Sequence, residues 1–189
     1  MAINNRLQNV CDFLMIRYTN ITNQNQSMGK EEEFVGIIKQ NEGVIFKITT
    51  IYTDNRHDQQ DLYQDIVYQL WKSFKSFRNE AKISTWMYRV ALNTALTRIK
   101  RNKRKGHSVS MDKVILSQTE HYDTGFEEKL KILYGHIKQL NVLEKGLMLL
   151  LLEGKKYDEI GEITGLSQSN VGTRISRIKN KLKSQILKK

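Results

Sequence analysis

The sequence predicts an all-α protein: two small helical domains joined by a flexible linker, the C-terminal one a helix-turn-helix domain. Three observations carry this. No proline occurs in 189 residues, where average usage would supply roughly nine, and a proline-free chain suits helices, whose interiors proline breaks. Apolar residues recur at helical spacing through both halves of the chain, the period that lines up one side of a helix. Between the halves, residues 106–124 lack that period and contain Gly, Ser and Asp, and so many structureless residues are unusual inside a compact domain.

Residues 1–28 are polar and rich in Asn and Gln, and they read as a mobile arm with at most a short helix around residues 7–18. Met28 opens MGKEEEF, which resembles a protein start. The first domain is expected over residues 29–105. Glu31, Glu32 and Glu33 load the first turn of a helix carrying Phe34, Ile37, Ile38, Ile45 and Ile48 on one side, with the acids at the end of the helix dipole that favours them. A second helix is expected from about Asp58 to Phe74, with Leu62, Ile66, Leu70 and Phe74 as its apolar row. A third starts near Ser84 or Thr85, buries Met87, Val90, Ala91 and Ala95, and runs into the basic stretch RIKRNKRK.

The second domain, residues 125–189, opens with a helix carrying Phe126, Leu130, Leu133 and Ile137. Asn141 with Glu144 three residues on forms a capping-box pattern ahead of LEKGLMLLLLEG. The run 147–152 is apolar all round and reads as the buried centre of this domain. YDEIGEITGLSQSNVGTRISRIKNKL then carries the strongest local signal. A first helix is expected over residues 157–164, with Gly161 at a close helix approach. Gly165 suits the left-handed turn, Ser167 the next cap, and Val171 the buried aliphatic of a helix-turn-helix. Val171, Ile175, Ile178 and Leu182 form the packed side of the second helix. Ser169, Asn170, Thr173, Arg174, Arg177 and Lys181 lie off it and are the DNA candidates. Arginine can fork onto guanine, asparagine onto adenine, and threonine can touch a thymine methyl, whereas Lys179 and Lys181 suit phosphate.

The formal net charge of +11 is concentrated. Residues 81–111 hold eight Lys or Arg and no acid, and residues 163–189 hold seven more and no acid. A solvated face or a lipid-binding tail accounts for one such window, while two on separate helices fit a polyanion touched at two places. Trp86, Arg89, Asn93, Thr97, Lys100 and Arg104 fall on one helical stripe. A tryptophan and an asparagine leading into cations suit stacking, edge reading and phosphate contact. A packed tryptophan and a solvent-facing asparagine satisfy the same spacing. No catalytic set competes: His57, His107, His121 and His136 are scattered, Cys11 is the single cysteine, and no GxxxxGK[ST] loop exists. No catalytic residue, metal, cofactor or small-molecule substrate is expected. The lone cysteine excludes an internal disulfide framework and fits a reducing cytoplasm.

The motifs DLYQD, FKSFR, TWMYRVALNTA and the closing basic run resemble the second conserved region of extracytoplasmic-function (ECF) sigma factors. Residues 157–182 resemble that family's fourth region, in the expected order. The resemblance covers roughly residues 31–105 and 125–187 and implies a factor that binds core RNA polymerase and directs promoter recognition. It implies that Asp61, Leu62, Gln64, Asp65 and Trp71 grip polymerase. It also implies that the loop with Phe77, Arg78, Asn79, Glu80 and Lys82 holds a base flipped from the minus-ten element. Asn93 would lie beside that pocket, and Trp86, Arg89, Lys100, Arg101 and Arg104, from the stripe and the basic run, are the further candidates on the minus-ten side. Arg174 and Arg177 would read the minus-thirty-five element. Core RNA polymerase and promoter DNA are thus the implied partners, with an anti-sigma factor as a further one. Thr97 and Gly172 depart from the family's usual residues and leave the promoter sequence open. Two other readings stay in play: a helix-turn-helix regulator acting without polymerase, and an RNA-binding polymerase adaptor.

Overall fold

The computed structural model describes residues 24–78, 80–104 and 124–187, and every regular element among them is an α-helix. In the first half these are α1 (Gln24–Gln40), α2 (Glu42–Tyr52), α3 (Arg56–Phe74) and α4 (Ile83–Arg104). The single helix expected through Ile48 is two. It begins at Gln24, inside the segment read as an arm, and breaks at Asn41. There the Asn41 side-chain amide donates to Ile37 O at 2.9 Å, as does its own backbone N–H at 3.1 Å. A side chain that takes up the backbone carbonyl offers the chain an alternative to continuing the helix. α3 starts at Arg56, slightly before the expected Asp58, because Asn55 caps it by accepting the Asp58 N–H at 2.8 Å.

Ile45, Ile48 and Ile51 of α2 meet Leu62, Ile66 and Leu70 of α3 and Met87, Ala91 and Ala95 of α4, all fully buried. Val90, expected on the packed side of α4, is half-buried. α1 lies on α3 through Phe34, whose ring sits edge-on to Trp71 at 5.0 Å.

The second half contains α5 (Thr124–Lys138), α6 (Val142–Leu152), α7 (Tyr157–Thr164) and α8 (Gln168–Leu187). The capping box forms as the sequence predicts: Asn141 Oδ1 accepts the Glu144 N–H at 2.9 Å, and Glu144 Oε2 accepts the Asn141 N–H at 3.2 Å. Residues 147–150 are buried, but Leu152 is 40% exposed, so the apolar interior stops before the end of the run. Between α7 and α8, Gly165 takes φ 75°, the left-handed region glycine enters without steric cost. At Gly161 an added Cβ would stand 2.6 Å from the Leu166 carbonyl oxygen. Val171, Ile175, Ile178 and Leu182 are all buried, as their spacing predicts.

The halves pack against each other, α2 on α5 and α6, and α4 on α7. One continuous apolar core runs through both. Around it, Tyr52 Oη donates to Val142 O at 2.8 Å and Lys138 Nζ to Thr53 O at 3.1 Å. Burial pushes the Tyr52 phenol far above its ordinary range, so it stays a donor.

Gly161→Ala tests the helix-turn-helix packing. The new methyl meets backbone rather than a yielding side chain, so the substitution should destabilise by about 1–3 kcal/mol. Thermal denaturation of the full chain should show a lowered midpoint; an unchanged one would mean that α7 and the turn are not in contact.

Candidate nucleic-acid and polymerase interfaces

The helix-turn-helix geometry aims one side of α8 outward. Ser169, Asn170, Thr173, Arg174 and Arg177 are all exposed, while the opposite side is locked into the core. Arg174 Nε donates to Asn170 Oδ1 at 2.7 Å, one turn back. That bond fixes the guanidinium plane and leaves both η nitrogens free, the fork geometry that matches a guanine edge. The Thr173 hydroxyl donates to Ser169 O at 3.0 Å, so the methyl is its outward-facing contact. Lys181, expected on DNA, is exposed on the flank of α8 and also reaches Glu144 Oε2 at 3.4 Å, at the head of α6. Lys179 lies with Lys183 beside an apolar hollow lined by Leu133, Met148, Leu182 and Ile186. Gly172 packs beneath the Tyr157 ring, 3.5 Å from where a Cβ would stand.

The second basic region begins at the turn after α3. Phe77 is half-buried with its ring 4.9 Å from Trp86, and Trp86 lies 6.2 Å from Phe74. Trp86 is therefore packed into an aromatic row, the second of the two readings its spacing allowed. Its neighbours Phe74 and Phe77 hold the following loop against α4. Arg78, Glu80 and Lys82 are exposed, and Asn79 lies outside the described residues. Arg89 and Asn93 project on the outer stripe of α4 as predicted, and Lys100, Arg101 and Arg104 are exposed at its C-terminal end, where cations complement the dipole. The Asn93 carbonyl accepts the Thr97 hydroxyl at 2.7 Å. The outer stripe faces the second half: Arg89 Nη2 donates to Glu162 O, and Asn93 lines a small cleft with Val142, Leu143, Ile163 and Thr164.

On α3, Asp61 and Asp65 are part-exposed and Gln64 is exposed. Leu62 is 1% exposed, so the direct polymerase contact expected of it is not available; it belongs to the core that stiffens α3. Trp71 is half-buried between Phe34 and the Lys75 ammonium, which stands 5.8 Å over its ring. The feature that sequence reasoning missed is Arg98. It was counted with the basic window, yet its guanidinium reaches Asp65 at 2.8 Å, Asp61 at 3.3 Å and Asp58 at 3.4 Å. Burial opposes its charge, but the hydrogen bonds to Asp65 and Asp61 outweigh that and raise its pKa further. The signal was present: acids at 58, 61 and 65 share one face of a helix and call for a cation from a neighbour. His57 joins Asp58 and Asp61 as a cluster within metal-ligating reach, but Arg98 already supplies the positive charge there.

Comparison with known proteins agrees with this geometry. The family model for Sigma-70 region 2 matches residues 37–105, and that for Sigma-70, region 4 matches residues 132–182. The ECF RNA polymerase sigma-E factor of Haemophilus influenzae is 25% identical over 173 residues, covering 84% of this chain and 89% of that protein. The RNA polymerase sigma factor SigV of Bacillus subtilis is 26% identical over 146 residues, covering 76% and 84%. Among solved structures, the sigma factor RpoE of Bartonella quintana, in complex with the anti-sigma factor NepR, superposes with a TM-score of 0.63 at 17% identity, over 82% of this chain and 95% of that one. CnrH, in complex with the cytosolic domain of CnrY, gives 0.59 at 16% identity, over 82% and 88%. Two sigma-70 regions in order along more than half of the chain, on an all-helical fold with an outward-facing recognition helix, place it: the chain belongs to the sigma-70 family, among the extracytoplasmic-function factors that bind core RNA polymerase and direct promoter recognition and transcription initiation.

Proposed function

We propose the following division of labour within that function. α3 meets core polymerase through Asp61, Gln64 and Asp65, with Arg98 setting the carboxylates and Leu62 and Trp71 stiffening the helix from behind. The loop of residues 77–82 and the outer stripe of α4 engage the minus-ten element, and Lys100, Arg101 and Arg104 follow its backbone. α8 reads the minus-thirty-five element through Arg174 and Arg177, with Ser169, Asn170 and Thr173 beside them. Residues 29–105 and 125–189 act as the two functional units, joined through residues 106–124; residues 1–23 and 105–123 lie outside the described structure.

The observation that carries this reading is the buttressed Arg174, held by Asn170 with its fork facing out. The protein performs no covalent chemistry. A flipped base costs a few kcal/mol, which phosphate contacts and a fitting pocket offset. Two weak DNA contacts held in register by polymerase raise each other's effective concentration. The action is cytoplasmic, where polymerase and promoter are, and no described helix is long and apolar enough to cross a membrane. An anti-sigma factor is a fitting partner, as both structural neighbours were solved with one or with a cytosolic partner domain. The decisive experiment adds purified chain to core polymerase and asks for initiation at a promoter. Duplex binding without polymerase-dependent initiation would favour a conventional regulator.

Arg174→Ala should cost about 1–3 kcal/mol of upstream-element affinity and relax preference at one base pair. Asn170→Ala should relax the same base pair, since it frees the Arg174 plane. Competition binding against single-base variants checks both; an equal loss on all sequences would make Arg174 a phosphate contact.

Asn93→Ala should leave the melting temperature nearly unchanged, because an exposed side chain is replaced at a cost within about 0.5 kcal/mol. Core-polymerase affinity should also hold, while open-complex formation on duplex promoter falls. Rescue on pre-melted promoter would place Asn93 in strand separation. A large stability loss with normal opening by the folded fraction would make it structural.

A further inference from the structure

Arg98 lies in the basic window that closes α4, yet its side chain is only 14% exposed, while the three carboxylates it meets are 45% or 46% exposed. The packing of α3 on α4 is secured without it: Leu62, Ile66 and Leu70 already meet Met87, Ala91 and Ala95 in a buried seam. A cation set beneath three part-exposed acids therefore shapes a surface more than it closes a core.

The three acids are not held alike. Arg98 Nη1 donates to Asp65 Oδ2 at 2.8 Å, and Nη2 is shared between Asp61 Oδ2 at 3.3 Å and Asp58 Oδ1 at 3.4 Å. Asn55 Nδ2 donates to the other oxygen of Asp58 at 2.7 Å, so that carboxylate is engaged at both ends. His57 Nδ1 stands 3.6 Å from Asp61 Oδ2, the same oxygen that Arg98 holds. Asp61 Oδ1 and Asp65 Oδ1 have no hydrogen-bond donor among the described residues, and neither is closed off from solvent. Asp58 is thus the anchor, while Asp61 and Asp65, one helical turn apart, each present a free oxygen. Three carboxylates against one guanidinium leave the patch net negative, so it fits cationic donors.

We propose that Arg98 is a positioning residue for the binding of core polymerase: it clamps one oxygen of Asp61 and one of Asp65, so that the other oxygen of each is preset for guanidinium or ammonium groups of the partner. The inference rests on the assignment of Asp61 and Asp65 to polymerase. Two effects of Arg98 have opposite signs. By charge alone it repels a cationic partner, and its loss should tighten binding. By ordering alone its loss should weaken binding, because two freed carboxylates must be immobilised when the partner arrives. The repulsion acts across the intervening carboxylates and weakens with salt, whereas the ordering does neither, so ordering prevails at physiological ionic strength.

The test uses that opposition. Affinity of the fluorescently labelled full-length chain for purified core RNA polymerase is measured at physiological ionic strength. Arg98→Ala should weaken binding by about tenfold, the order expected when two side chains are set loose. Arg98→Lys keeps the charge but loses the fork, since one ammonium cannot span three carboxylates, and should weaken binding by a smaller factor. Both variants should melt cooperatively and keep wild-type affinity for an upstream-element duplex, which global damage would not allow. Asp61→Asn combined with Asp65→Asn should weaken polymerase binding, and Arg98→Ala added to that double variant should change nothing further. Tighter or unchanged binding by Arg98→Ala, or wild-type binding by Arg98→Lys, would mean that Arg98 acts through charge or not at all, and would overturn the proposal. A further loss from Arg98→Ala in the double variant would make its effect one of folding, which overturns it equally. If Arg98→Ala does not fold, Arg98→Lys measured alone and in the double variant carries the same decision. Full polymerase affinity in the double variant is a different failure: it removes the assignment of α3 to polymerase, and the proposal falls with it.

Discussion

A helix that is apolar on every side must be covered on every side. The run Leu147 to Leu150 of α6 is such a stretch, buried throughout, and burial of apolar surface is worth roughly 25 cal/mol per Å². Its own half supplies α5, α7 and α8 as neighbours, and α2 of the other half supplies one more. Gly146 lies where the halves meet: an added Cβ there would stand 2.9 Å from the Tyr52 hydroxyl and 3.6 Å from Leu92. The absence of a side chain lets the halves close to contact, and the Tyr52 hydroxyl then finds the Val142 carbonyl. The union has an apolar centre and a polar rim, the usual anatomy of an interface between separable units. Lys138, Lys47 and Glu153 form that rim.

The same constraint explains why the DNA faces differ. α8 has its apolar row locked onto the core, so its other side is left to solvent, with Arg174 and Arg177 exposed. α4 is used on both sides. Met87, Ala91 and Ala95 face α2 and α3, while Arg89 and the cleft beside Asn93 face α7. A helix packed on two sides is held firmly, which suits a surface that must present a pocket.

Arg98 and Arg174 show how little a residue type says until its surroundings are known. Both lie in acid-free windows of the sequence and both carry the same fork of donors. Arg98 points at a row of three carboxylates on α3 and becomes a structural cation with a side chain only 14% exposed. Among the described residues Arg174 is met only by the neutral amide of Asn170 and keeps its fork outward. The distinction lies in the element opposite, which for Arg98 is more than thirty residues away along the chain.

The sequence alone determined the features whose physical causes are local. The capping box of Asn141 and Glu144, the left-handed Gly165 and the buried row from Val171 to Leu182 each follow from spacings of a few residues, because capping, turn geometry and helical period act over that range. The outward face of α8 followed from the same period. Local pattern misjudged Asn41, where a side-chain bond to Ile37 splits one expected helix in two. It also left Trp86 open between stacking platform and packed residue. What only the tertiary structure decided is which surfaces meet: Arg98 with the α3 acids, Lys181 with Glu144, and α7 over Arg89. Those pairings depend on how two amphipathic halves share the burial of α6, a free energy summed over the whole core, and no spacing within one segment carries that sum.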